Sequence, residues 1–173
     1  MSKNNKKAKK TNAMRILDQH GVSYITHDYE STGAISGVEV AAALGQDPAR
    51  TFKTLVSEGA GKVSKGSGSG ERTVEHYVFV VPVAAELNLK KAAAAVGEKS
   101  IAMIRQKELL PLTGYVHGGC SPIGMKKQFP TFIHETAAEL DRVFVSAGKV
   151  GFQIELAPED LISTAGCRIA DIV

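Results

Sequence analysis

The sequence predicts a mixed α/β protein of the α+β kind, with a mixed or barrel-like sheet of about seven strands and about five flanking helices. Three observations lead there. Strand-like and helix-like segments alternate irregularly, without the even rhythm of a doubly wound fold. With 173 residues and 43% hydrophobic content, the chain is long enough to enclose a real core. Tyr77 to Val81 is almost continuously apolar, the pattern of a strand buried on both faces.

Taken in order, Met1 to Lys10 is a lysine-rich polar stretch without an apolar run, read as a disordered, solubilising tail rather than a signal peptide. Its lysines (Lys3, Lys6, Lys7, Lys9 and Lys10) outweigh the formal net charge of +3, so the rest of the chain is slightly acidic. Such a tail touches a polyanion weakly. Residues 11–173 are read as a single domain. Thr11 to His20 forms a helix capped by Thr11 or Asn12 and stopped by Gly21. Val22 to Tyr29 has strand composition. Ser36-x-x-Glu39 is a capping box that opens a helix ending at Gly45.

Asp47-Pro48 starts a helical turn, and Thr51 to Val56 is a strand. Period two places Thr51, Lys53 and Leu55 on one face and Phe52, Thr54 and Val56 on the other. Two readings of Lys53 are open: it snorkels from an edge strand, or it stands in a half-buried wall where its ammonium requires an anionic partner. Ser57 to Thr73 is glycine- and serine-rich and reads as a flexible loop. Val74 to Val83 is the next strand, followed by a helix from Leu87 to Val96 that Gly97 stops. Ile101 to Ile104 is a short strand and Gln106 to Leu110 a helical turn closed by Pro111. Thr131 to His134 and Arg142 to Ser146 are strands joined by a polar turn, Thr136 to Asp141. Val150 to Leu156 is a strand; Pro158 opens a helix that closes at Gly166. Cys167 to Ile172 ends the order as a strand.

The chemistry concentrates between Gly114 and Gly124, Gly-Tyr-Val-His-Gly-Gly-Cys-Ser-Pro-Ile-Gly. The Gly118-Gly119 pair removes Cβ atoms and Pro122 fixes the exit, biasing Ser121 toward extended backbone. Two readings remain open. The stretch is an ordinary tight turn, or a stiff loop whose bare N–H groups suit an oxyanion, a carboxylate or a phosphate. Cys120 and Cys167 form no C-x-x-C motif, which points to a reducing cytoplasm and away from structural zinc. No apolar run reaches membrane-spanning length. The sequence has no G-x-S-x-G elbow, no metal-ligand spacing and no evident Ser-His-Asp set, so no metal or cofactor is expected. His27 and His117 are read as structural.

Three stretches taken together resemble one family. Phe52-Lys53-Thr54-Leu55, Gly118-Gly119-Cys120-Ser121-Pro122-Ile123-Gly124 and Val145-Ser146-Ala147-Gly148-Lys149-x-Gly151 match the order and spacing of the YbaK/EbsC proteins. These are free-standing relatives of the editing domain of bacterial prolyl-tRNA synthetases. The resemblance extends over roughly Thr11 to Val173, including Pro82-Val83, Leu89-Lys90-Lys91 and Ala170-Asp171-Ile172. It implies a mixed β-barrel flanked by helices and removal of cysteine mischarged on tRNA(Pro). In that reaction the substrate's own thiol attacks its ester, so no protein nucleophile is needed. By position, Lys53 would contact the acyl ester or the terminal adenosine phosphate, and the Gly118 and Gly119 backbone would line the aminoacyl pocket. Tyr29, Thr54, Ser146 and Gly148 would complete its walls, and Cys120, Ser121 and Pro122 would also bind the substrate. The implied partners are mischarged tRNA(Pro) and, transiently, prolyl-tRNA synthetase. Two positions depart from the family pattern. Cys120 replaces an aliphatic residue and is read as a small hydrophobe. Gln153 replaces an aspartate and is expected to hydrogen-bond the substrate's α-amino group without charge. The alternative functions are deacylation of alanine or another small amino acid, and a non-catalytic tRNA- or synthetase-binding module.

Overall fold

A computed structural model of the protein describes residues 9–63 and 72–173. Five α-helices and ten strands follow one another as α1 (Asn12–Gln19), β1 (Ile25–Asp28), α2 (Gly37–Ala43), β2 (Phe52–Gly59), β3 (Lys62–Val63), β4 (Arg72–Thr73), β5 (His76–Pro82), α3 (Leu89–Val96), β6 (Ile101–Met103), α4 (Gln106–Thr113), β7 (Thr131–His134), β8 (Val143–Ser146), β9 (Phe152–Leu156), α5 (Pro158–Ala165) and β10 (Cys167–Ala170). One sheet has the order β10-β7-β5-β2-β6 and another β1-β9-β8, while β3 and β4 pair only with each other. β7 runs parallel to β10 and to β5, and the other ladders are antiparallel. The two larger sheets pack through a common core and are linked along the backbone by a parallel bridge between Thr51 and Phe144. Both strand orders are open, so among the described residues the architecture is two joined sheets and no closed barrel.

β5 explains why the core holds together. Val80 packs with α1, α5, β8 and β9, whereas Phe79 and Val81 pack with Ala92 and Ala93 of α3. Val78 enters a third cluster with Tyr115, Cys120 and Phe129. All four β5 side chains are completely buried, each stabilising the fold by about 1.5–3 kcal/mol. The apolar run is therefore a strand covered on both faces, as its composition requires.

Several boundaries move under tertiary pairing. The strand expected to end at Val56 continues to Gly59, because Ser57 and Glu58 pair with β5 on one side and β6 pairs with residues Ser57 to Gly59 on the other. Part of the expected loop is thus strand, and residues 64–71 lie outside the described residues. α4 runs through Pro111 to Thr113, where the Thr113 hydroxyl donates to the Leu109 carbonyl. There Gly114, at φ 82°, donates its N–H to the Leu110 carbonyl. The polar turn after β7 is a 3-10 helix, Glu135–Glu139. Of the expected basic tail only Lys9 and Lys10 are described, both exposed.

Candidate active site

A cavity of about 390 Å3 opens where the two sheets part. One wall is formed by Thr51 and the first residues of β2, Phe52 to Leu55. β2 has β5 along one side, but on the other it meets β8 only at Thr51 and β6 only from Ser57 onward. Between those points its edge carries no partner strand among the described residues. Side chains of both strand faces therefore reach the cavity. The facing walls come from Tyr29, the α2 entry at Ile35 to Val38, Ser146 of β8, Gln153 of β9, and His117, Gly118 and Cys120 of the loop after α4.

Lys53 is half-buried, and its Nζ lies 3.7 Å from Glu86 Oε1, a carboxylate that is 94% exposed. A pair that long and wet contributes only about 0–1 kcal/mol, so the ammonium stays available to a polarised group in the cavity. Next to it, Thr54 Oγ1 is buried with no hydrogen-bond partner among the described residues. An unmade bond of this kind costs about 1–3 kcal/mol, which a bound ligand can offset.

Gln153 is 3% exposed, and its carbonyl Oε1 accepts a hydrogen bond from Gln46 Nε2 at 2.6 Å. Gln46 is oriented in turn by Thr51, whose hydroxyl donates to Gln46 Oε1 and to the Asp47 carbonyl. Gln153 Oε1 keeps a second lone pair for a donor such as an ammonium, and the Gln153 NH2 group can donate to a substrate oxygen.

The glycine loop and residues 147–151 form a second packed unit. A Cβ on Gly119 would lie 2.9 Å from the Val150 amide nitrogen, so the two backbones touch where a side chain is missing. The Gly119 N–H donates to the Val116 carbonyl at 3.0 Å. It is therefore not a bare donor, and Gly118 is the member of the pair on the cavity wall. Ser121 is completely buried and its Oγ accepts from the Ile123 N–H, while Pro122 is buried beside it. Neither lines the cavity; both stiffen the loop. Gly148, at φ 94°, lies beneath Tyr115, whose hydroxyl donates to the Ile123 carbonyl. Tyr115 thus ties the two loops together.

Of the expected site residues, Lys53, Tyr29, Thr54, Gly118, Cys120, Ser146 and Gln153 share the cavity, and Gly119, Ser121, Pro122 and Gly148 stand behind it. Burial pushes the Cys120 thiol up to about 12, which keeps it protonated and inert at neutral pH. His117, read as structural, is exposed at the cavity wall, where Gly118 turns the chain at φ 83°. His27 instead pairs with Glu155 at 2.8 Å, outside the cavity. Gln46 and the α2 entry were missed. Only the capping box hinted at the latter, and nothing local in sequence marks Gln46.

Elsewhere, His134, Glu135 and Asp171 place one donor atom each within 4.8 Å of one another. Lys91 Nζ already bonds both Asp171 oxygens, at 2.9 and 3.1 Å. The cluster is an ion-paired clasp on the last residues.

The fold and the cavity define an editing-type domain, and comparison with known proteins gives the family. The model of the aminoacyl-tRNA editing domain matches residues 33–164. A protein of Enterococcus faecalis, "Putative Cys-tRNA(Pro)/Cys-tRNA(Cys) deacylase EbsC", is 45% identical over 96% of this chain and 95% of its own. Two crystal structures share the fold. One, of "a putative trans-editing enzyme for prolyl tRNA synthetase", aligns with a TM-score of 0.75 at 22% identity, covering 93% of this chain and 94% of that one. The other, of "hypothetical protein APE2540", aligns with a TM-score of 0.78 at 20% identity, covering 94% and 99%. This chain belongs to the aminoacyl-tRNA editing domain family.

Proposed function

We propose that this protein is an aminoacyl-tRNA deacylase that removes mischarged cysteine from tRNA(Pro). The observation that carries the reading is a cavity with a loosely paired ammonium, an unpartnered hydroxyl and amide donors, whose cysteine is held protonated by burial. Membership of the editing family and the name of the E. faecalis relative support the same substrate class.

In the proposed reaction the substrate sulfur attacks the ester carbonyl carbon, and a C–S bond replaces the C–O bond to the ribose. The thiol proton ends on the departing ribose hydroxyl, and a cyclic thiolactone leaves. Nothing is oxidised or reduced. Lys53 and the Gln153 and Gly118 N–H groups stabilise the negative charge that develops on the carbonyl oxygen. The walls of Tyr29, Thr54 and Ser146 hold sulfur and carbonyl in reach of one another, which supplies the rate enhancement of an intramolecular reaction. The protein works in the cytoplasm, beside prolyl-tRNA synthetase, where its two free cysteines stay reduced.

The test is deacylation of tRNA(Pro) charged separately with cysteine, alanine or proline, with Lys53→Ala in parallel. Cysteine is expected to be lost rapidly and the others slowly, with the rate falling about 100-fold or more in Lys53→Ala. Equal loss of alanine would remove the thiol from the mechanism. Binding without turnover of any of the three would leave a non-catalytic module.

A further inference from the structure

A second cavity, of about 320 Å3, lies beneath the start of α1. Lys9, Lys10 and Lys149 border it together with the hydroxyl-bearing Thr11, Tyr24 and Thr26, and among the described residues no carboxylate lines it. Lys10 is neutralised by Asp18, which also accepts from the Tyr24 hydroxyl at 3.1 Å. Lys9 and Lys149 have no carboxylate partner among the described residues. Lys149 Nζ sits 5.1 Å from the centre of the Phe152 ring, which fixes its position without cancelling its charge.

The two cavities adjoin neighbouring residues of β9. Phe152 borders the second and Gln153 the first, so they lie on opposite faces of β9. Residues 147–151 turn around the end of that sheet, with Ser146 in the first cavity, Lys149 in the second, and Val150 packed on Gly119 between them. A polyanion whose end occupies the first cavity can pass over this loop and meet two uncompensated ammonium groups and several hydroxyl groups. These are the groups that hold phosphate oxygens.

We propose that the second cavity binds the phosphodiester backbone of the RNA whose aminoacylated 3′ end occupies the first. The inference rests on the deacylase reading and adds where the polynucleotide runs. Lys9 and Lys149 supply the electrostatic attraction, and the hydroxyls set the position.

The experiment uses Lys149→Glu and Lys9→Glu, singly and together, on the full chain. Binding of an uncharged RNA hairpin with a single-stranded 3′ extension is followed by fluorescence anisotropy over a series of salt concentrations. Each substitution is expected to weaken binding several-fold, and the slope of log K against log salt should fall by about one per lysine lost. In turnover assays KM for cysteinyl-tRNA should rise, and the change should be confined to phosphate-bearing substrate, with cysteine esterified to adenosine as the phosphate-free control. Hairpin binding and salt slope unchanged in the double variant would overturn the site. Because the hairpin assay needs no turnover, absence of deacylation would count against the proposed activity and leave this result to be read separately.

Discussion

Between the two loops of the site, Gly119 has room for a hydrogen and nothing larger. A Cβ there would meet the Val150 nitrogen at 2.9 Å and the Lys149 carbonyl carbon at 3.2 Å, both backbone atoms that cannot rotate away. Gly119→Ala should therefore lower the urea midpoint by the equivalent of about 1–3 kcal/mol and displace Gly118 from the cavity, slowing deacylation. Cys120 makes the opposite case. Burial holds its thiol protonated to about 12, so Cys120→Ala should keep the rate within about threefold if the residue only fills space. In the proposed mechanism the attacking thiolate belongs to the substrate, with an ordinary pKa of about 8.5. Rates in wild type and Cys120→Ala should then climb together as pH rises toward that value and level off above it. A rise still continuing well above it, present in wild type and lost in the variant, would implicate Cys120. At Gln153 the residue type alone suggested a partner for an ammonium; the bond from Gln46, distant in sequence, occupies one of its acceptor positions and fixes the amide in place.

The α2 entry shows an element whose start is also a wall of the site. Ser36 Oγ accepts from the Glu39 N–H, and Glu39 Oε2 accepts from the Ile35 and Ser36 N–H groups. The Ile35 bond first, then the Ser36 bond, holds the Glu39 carboxyl below its ordinary value of 4.5. A depressed pKa adds stability that is fully present above the unfolded value and is lost as pH falls through the folded one. Acidification below about pH 4.5 should loosen this corner first, seen as early loss of amide protection at Ile35 and Ser36. Ser36→Ala should cost about 1 kcal/mol and raise KM more than it lowers kcat, because Ile35 to Val38 border the cavity. The capping box was legible from Ser36 and Glu39 alone. That Gly37 abuts Val83, with no space for a Cβ, was not, since Val83 arrives from another element.

Across the whole molecule, the cavity lies at the passage where the chain leaves the Thr51–Phe144 bridge and enters β2 of the larger sheet. Phe52 stands at that passage, 3% exposed, packed into the α1 and α5 core and also lining the cavity. Phe52→Ala should destabilise the protein by about 3–5 kcal/mol and abolish deacylation at temperatures where the wild type is active, as read from thermal melts and rates together. The same passage explains why an irregular alternation of strands and helices does not close into a barrel. The backbone of the β1-β9-β8 sheet joins the other at the Thr51 bridge, and the next residues, those of β2, are left facing the substrate space.

What the sequence determined by itself was whatever acts over a few residues or through exact motif order: the doubly buried β5, the helix starts at Thr11 and Ser36, the stops at Gly97 and Gly166, and the family through three spaced motifs. The tertiary structure alone decided the extension of β2 to Gly59, the engagement of the Gly119 N–H, the orientation of Gln153, the place of His117 and the lysine-lined second cavity. The physical reason is range. Backbone propensity and capping are settled by near neighbours, whereas hydrogen-bond occupancy, burial and uncompensated charge depend on residues such as Gln46 and Gln153, or Gly119 and Val150, that only folding brings together.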